Sequence, residues 1–124
     1  MTTGEIIAEV DRLEPNQYDG EQKLRWLSIF DGKIFHELIE THEGAERDSF
    51  EPLTELEAVL LIPFPWGREV YTHYLQAMIA EGNGEGLKYN QQITLCNAAY
   101  QSYADWYNRT HRAIVSRYGN RFRF

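Results

Sequence analysis

The chain has 124 residues, enough for one domain with its own hydrophobic core and too few for two. Its 43% hydrophobic and 25% charged residues are typical of a globular protein, and the net charge of −7 disfavours a polyanionic partner for most of its surface. One cysteine excludes an internal disulfide, and the longest apolar run, residues 58–62, is too short to span a bilayer. We expect a soluble protein of a reducing cytoplasm, with no membrane partner.

The first predicted helix follows Thr2, which with Glu5 three residues later forms a capping-box pattern. Apolar residues from Ile6 to Leu13 supply one face, and Pro15 ends the helix. A second helix starts at the N-cap Asp19 and runs to about Thr41. Its apolar positions at helical spacing are Leu24, Leu27, Phe30 or Asp31, Ile34 and Leu38, broadened by Trp26 and Phe35.

An irregular segment follows over residues 45–65. Pro52, Pro63 and Pro65 forbid a regular continuation through it. We predict a covering arm or an edge strand pinned by its prolines.

Two further helices are predicted in the second half. One begins near Trp66 and stops at Gly82-Asn83-Gly84, since Gly and Asn tolerate a left-handed backbone. The other, about 30 residues long, carries a seam spaced alternately by four and three residues. The seam consists of Tyr89, Ile93, Cys96, Tyr100, Tyr103, Tyr107 and Thr110. The tyrosines of this half fit an aromatic core and a subunit interface equally well.

The C-terminal segment reverses the charge of the chain. Residues 1–85 contain 18 acidic and six basic residues, whereas residues 86–124 contain six basic residues and only Asp105 as an acid. Such a split indicates a basic tail that docks on an acidic surface, and a merely solvated tail is the alternative. The predicted partner-binding residues are Arg109, Arg112, Arg117, Arg121, Phe122, Arg123 and Phe124.

Together these elements predict an all-α fold, a small bundle of about four helices with one irregular proline-containing segment. The helical domain covers residues 1–117, and residues 118–124 form a flexible basic and aromatic tail. Arginines interleaved with aromatic residues also suit single-stranded nucleic acid, but the acidic remainder of the chain favours a protein partner.

No catalytic or cofactor motif is recognisable. Cys96 lies in an apolar helical pattern, which predicts a buried, inert thiol. Glu37, Glu40 and Glu43 form an acidic ladder that could hold a divalent ion, but a solvated acidic face is the simpler interpretation. We therefore predict no catalytic, cofactor-binding or metal-binding residues and no enzymatic activity.

Several short motifs distributed over residues 10–112 bear a resemblance to a known family. They are LEPNQY at 13–18, EQKLRWL at 21–27, LIPFPW at 61–66 with Tyr71, Tyr74 and Leu75, NGE at 83–85 with Tyr89 and Asn90, and YNR at 107–109. The chain resembles head–tail connector (adaptor) proteins from the head-gene region of tailed phages and prophages of low-GC Gram-positive bacteria. Residues 45–57 lie outside the resemblance.

The resemblance implies a helical virion protein that assembles as a ring under the portal, with a C-terminal segment reaching the portal. Its partners would be the portal, head-closure or tail proteins and further copies of itself. It would reside in the virion and, during assembly, in the host cytoplasm. Two alternatives stay open: another minor head-region protein whose basic tail contacts nucleic acid, and a small metal-dependent helical enzyme.

Overall fold

The computed structural model describes residues 1–39 and 52–110, which form a bundle of four α-helices and one irregular segment. The helices are α1 (Thr3–Leu13), α2 (Gly20–Ile34), α3 (Trp66–Gly82) and α4 (Gly86–Thr110). The predicted all-α bundle is therefore confirmed. The predicted boundary between residues 117 and 118 lies outside the described residues. None of the described helices has the length and apolarity needed to cross a bilayer.

Both predicted N-terminal caps are present. The Thr2 hydroxyl accepts a hydrogen bond from the Glu5 N–H (3.2 Å), and the Thr2 N–H donates to Glu5 Oε1 (2.7 Å). Hydrogen bonding of the Glu5 carboxylate by the Thr2 backbone N–H, and by the Thr2 side chain, lowers the pKa of Glu5. Asp19 Oδ1 accepts from the Gln22 N–H at 2.8 Å and caps α2. Each cap satisfies backbone donors that the first helical turn leaves without partners.

The C-terminal end of α2 differs from the prediction of one continuous helix to about Thr41. The α-helix ends at Ile34, and a π-helical turn, Phe35–Ile39, continues it. The wider turn still keeps Phe35, Leu38 and Ile39 buried in the core. The rest of the predicted helix, residues 40–41, lies outside the described residues.

The irregular segment, called here the arm (residues 52–65), covers the start of α1. Thr2 and Val59 form an isolated antiparallel bridge. Three backbone hydrogen bonds accompany it: Thr3 N to Ala58 O (2.9 Å), Gly4 N to Leu56 O (2.7 Å) and Leu60 N to Met1 O (3.0 Å). This part of the segment is therefore an arm that covers the start of α1, as one of the two predictions has it. Its strand pairing is limited to one bridge.

A buried polar network fixes the C-terminal half of the arm to α2 and α3. Asp31, fully buried in α2, accepts hydrogen bonds from the Tyr71 hydroxyl and, at 2.9 Å, from the Leu61 N–H. The Tyr71 oxygen in turn accepts the Ile62 N–H at 2.9 Å. Burial and the neighbouring Asp31 carboxylate raise the pKa of Tyr71, so its hydroxyl stays protonated and donates. The network is the reason that a carboxylate can occupy the apolar stripe of α2.

The junction between the arm and α3 requires glycine at position 67. A Cβ there would lie 2.3 Å from the Ile62 carbonyl oxygen, closer than any real contact. The Gly67 N–H also donates to the Pro63 carbonyl at 2.9 Å. The missing side chain lets α3 begin directly against the arm.

A tight turn joins α3 and α4 into a hairpin, as the glycine-rich stop predicts. Gly84 adopts a φ of +75°, in the left-handed region that favours glycine. The two helices pack along their lengths, and His73 Nδ1 lies 2.7 Å from Gln92 Oε1 across the interface. Among the described helices, α3 is the central one, since α1, α2 and α4 all pack on it.

The connection between α1 and α2 is held against the α3–α4 turn. Gln17 Nε2 and the Tyr18 hydroxyl both donate to Asn83 Oδ1, at 2.9 and 3.0 Å. Lys88 forms an ion pair with Glu14 beside them. Two turns far apart in sequence therefore form one end of the bundle.

The predicted seam of α4 is buried mainly in its C-terminal half. Cys96, Tyr103 and Tyr107 are buried, whereas Tyr89, Ile93 and Tyr100 are partly exposed. Thr110 is exposed, so its assignment to the seam was wrong. In the last turn of α4, the Thr110 hydroxyl donates to the Trp106 carbonyl of its own helix at 2.9 Å.

Replacing Tyr71 by Phe should destabilise the fold by about 1–3 kcal/mol, because the Asp31 carboxylate and the Ile62 N–H would lose a buried partner. Urea unfolding of Tyr71→Phe against wild type measures this difference. Tyr74→Phe is the matched control on the same helix, since the Tyr74 ring is stacked on Phe30 and keeps this contact. Equal losses in the two variants would contradict the role given to the network.

Candidate protein-interaction surface

The side of α4 that faces away from α3 presents a continuous exposed stripe. Its residues, called here the α4 face, are Leu87, Gln91, Thr94, Leu95, Ala98 and Gln101. They recur at three- and four-residue spacing, opposite the buried positions Cys96, Tyr103 and Tyr107. Leu87 and Leu95 are 78% and 48% exposed, so the stripe displays large apolar side chains.

The α4 face has no formal charge. Residues 89–104, between Lys88 and Asp105, contain no Asp, Glu, Lys or Arg. Helix surfaces that only meet water usually carry charged side chains, whereas the cores of protein interfaces are depleted of them. The combination of amide, hydroxyl and leucine side chains is therefore typical of a surface that contacts another protein.

An aromatic cluster lies where α4 approaches its last described residue. The rings of Trp66 and Trp106 are 4.8 Å apart between centroids, and Tyr103 lies 5.5 Å from Trp66. Tyr107 extends the cluster at 5.9 Å from Tyr103. Phe64, at the end of the arm next to this cluster in sequence, is 67% exposed. The tyrosines thus belong to the core at this end, while their tryptophan neighbours remain partly accessible.

Cys96 has the environment of a structural thiol. It is buried in the α3–α4 interface, and desolvation raises its pKa to about 12. A thiol with this pKa stays protonated at neutral pH, and only the thiolate is a good nucleophile. The structure therefore agrees with the predicted buried position.

Several acids of α1 are engaged within the bundle. Glu9 pairs with Arg68 of α3 at 2.9 Å and with Arg12 at 3.3 Å. Asp11 pairs with the buried Lys23. Glu14, the C-cap residue directly after α1, is paired with Lys88 of α4. Part of the acidic charge of residues 1–85 thus holds helices together.

Of the predicted partner-binding residues, the structure places one. Arg109 is exposed in the last turn of α4, one turn beyond Asp105. The other six lie outside the described residues. They are Arg112, Arg117, Arg121, Phe122, Arg123 and Phe124.

The acidic ladder is likewise only partly described. Glu37 is exposed on the π-helical turn, and Glu40 and Glu43 lie outside the described residues. Within residues 1–39 and 52–110, no group of three or more His, Cys, Asp or Glu is placed to hold a metal ion.

A second surface feature was not anticipated from the sequence. Between α2 and the start of the arm lies an open groove of about 390 Å³, called here the α2 groove. Its lining residues are Arg25, Ser28, Ile29, Gly32, Pro52 and Leu53. The Leu53 N–H donates to the Ser28 hydroxyl at 2.9 Å and fixes the arm at this edge. Ile29 is 56% exposed on α2, among charged positions of that helix. This apolar residue is the one sequence feature that points to the groove.

No family model, characterised protein or solved structure matches this chain.

Tyr103→Ala should destabilise the protein by about 3–5 kcal/mol, as expected for removing a buried aromatic ring. Tyr103 is 3% exposed and contacts Trp66 and Trp106, so truncation leaves a cavity in the cluster. Tyr100 is three residues away and partly exposed, so Tyr100→Ala should lower the free energy of unfolding by roughly half as much or less. Chemical denaturation of both variants tests the order. A larger loss for Tyr100→Ala would mean that the cluster does not stabilise this end of α4.

Proposed function

We propose that this chain is a structural protein of a tailed-phage or prophage virion, a head–tail connector subunit that assembles as a ring on the portal. The observation that carries the proposal is the uncharged, exposed α4 face on an otherwise strongly charged protein. A connector acts through protein–protein contacts and needs such a surface. The resemblance of the motifs over residues 10–112 supplies the particular role.

The structural context of the motifs supports the proposal in a second way. Tyr18 of LEPNQY bonds to Asn83 of NGE, and Leu61 and Ile62 of LIPFPW bond to Asp31 and Tyr71. Residues in the motifs that resemble the connector family are therefore among those that hold this bundle together.

In this proposal the basic C-terminal segment binds the portal or a neighbouring copy. It begins at Arg109, on the exposed end of α4, and continues with four more arginines and no acid. An acidic partner surface would supply the complementary charge, and Phe122 and Phe124 would supply apolar contacts.

The direct test is to delete the gene from an inducible prophage that encodes it. We expect induced cells to produce heads and tails that do not join, because the connector is the part that links them. Complementation with a tagged copy should restore tailed particles and place the tag at the head–tail vertex by electron microscopy. Normal tailed particles from the deletion strain would contradict the proposal.

Removing residues 118–124 should leave the melting temperature nearly unchanged and reduce incorporation into particles, because the seven residues beyond Arg117 cannot form a core of their own. Two full-length variants separate the contributions. The double variant Arg121→Glu with Arg123→Glu should be incorporated less than wild type, and the difference should be largest at low salt. The double variant Phe122→Ala with Phe124→Ala should be incorporated less than wild type at every salt concentration.

Unfolding of the truncated protein would show that the tail belongs to the core. Salt-dependent retention of DNA by the full-length chain, lost on truncation, would instead favour a protein whose tail contacts nucleic acid.

A further inference from the structure

We propose that the α4 face of one copy packs into the α2 groove of the next copy, so that identical subunits associate head-to-tail. This inference rests on the proposed function, since it assigns the contact from which the ring would be built. Both surfaces are exposed in the single chain, and both display apolar side chains to solvent: Leu87 and Leu95 on one, Ile29 on the other.

The charge of the protein favours a second copy as the occupant. Each chain carries a net charge of −7, so two copies repel wherever their acidic surfaces meet. The α4 face has no charged residue, and Arg25 is the only charged residue among the described residues that line the α2 groove. These are the surfaces on which like-charged copies can meet at the lowest electrostatic cost, whereas an oppositely charged partner would gain little from them.

The chemistry of the two surfaces is complementary. Gln91 on the α4 face offers an amide that donates and accepts, and Gln101, whose Nε2 donates to Asp105 Oδ1 at 2.8 Å, keeps its amide oxygen as an acceptor. Arg25 and Ser28 at the groove can bond to such groups. Leu95 provides an apolar side chain for a groove formed in part by Ile29, Pro52 and Leu53. A groove of about 390 Å³ is large enough to receive a leucine side chain together with its neighbours.

The arrangement of the helices makes the contact head-to-tail. The two surfaces share no residue, since the α4 face belongs to α4 and the α2 groove to α2 and the arm, so one can stay open when the other is occupied. A contact between two different surfaces propagates, and it closes into a ring when the rotation between neighbours permits. A contact between two copies of the α4 face would instead stop at a dimer.

The contact is small, which predicts weak association. From Leu87 to Gln101 the α4 face is about 21 Å long, at roughly 1.5 Å per residue. With a helix width of about 10 Å it covers on the order of 200 Å², far below the roughly 800 Å² per partner of a stable complex. We therefore expect monomers at micromolar concentration and association only as the concentration approaches about 1 mM, or on a template that holds the copies together.

Two substitutions, each blocking one surface, test the proposal. Ala98→Glu places a charge in the middle of the α4 face, and Ile29→Glu places one in the α2 groove. Ala8→Glu is the matched control, because Ala8 is an exposed alanine on α1 outside both surfaces. Circular dichroism and thermal unfolding establish that all three variants fold, and sedimentation velocity up to about 1 mM measures association.

Wild type and Ala8→Glu should form a series of oligomers, and each blocked variant alone should stay monomeric. An equimolar mixture of Ala98→Glu and Ile29→Glu should form dimers and nothing larger, because only one intact pair of surfaces remains. The proposal is overturned if wild type does not associate, if both blocked variants associate like wild type, or if Ile29→Glu still dimerises alone.

The same variants separate this inference from the proposed function. If Ala98→Glu fully restores tailed particles in the deletion strain, the chain is a connector and the inferred contact is wrong. If the variants behave in solution as described but the deletion strain makes normal tailed particles, the contact stands and the connector role fails.

Discussion

The hydrogen bond between the Asp31 carboxylate and the Tyr71 hydroxyl joins α2 to α3, and most of the described architecture depends on it. Through the backbone of Leu61 and Ile62 it also fixes the arm, which then reaches back to pair with the N-terminus. A buried carboxylate is costly unless all its partners are in place. Misplacing any of the three segments would leave it unsatisfied, so the network selects one arrangement of the helices.

The short motifs on which the proposed connector role rests contribute to this architecture. The pair formed by Tyr18 and Asn83 closes one end of the bundle, and the pairs made by Leu61 and Ile62 anchor the arm. Their presence bears directly on how the chain folds and only indirectly on what it binds. The surfaces that we assign to partners, the α4 face and the α2 groove, contain none of these residues.

Local signals in the sequence predicted the helices well, because caps, prolines and glycines act within a few residues of their position. Thr2 and Asp19 start helices, and Gly84 ends one, as their chemistry predicts. The arm could not be placed, since its bonds join residues such as Thr3 and Ala58 across 55 positions. Asp31 was ambiguous for the same reason: only its distant partners explain a buried acid. The uncharged stretch of α4 is readable from the sequence, but its exposure requires the structure.

The Trp66–Trp106 pair has an optical consequence. Indole emission responds to the polarity of its surroundings. Trp106 lies about one helical turn before Thr110, and Trp66, at the start of α3, lies beside it; both are partly exposed. The remaining tryptophan, Trp26, lies in the first half of α2, and its ring centroid is 5.3 Å from that of Tyr18. The protein therefore contains an intrinsic fluorophore pair close to Thr110, the last described residue of α4. Quenching or a spectral shift of that pair offers a label-free signal of events at this end of α4.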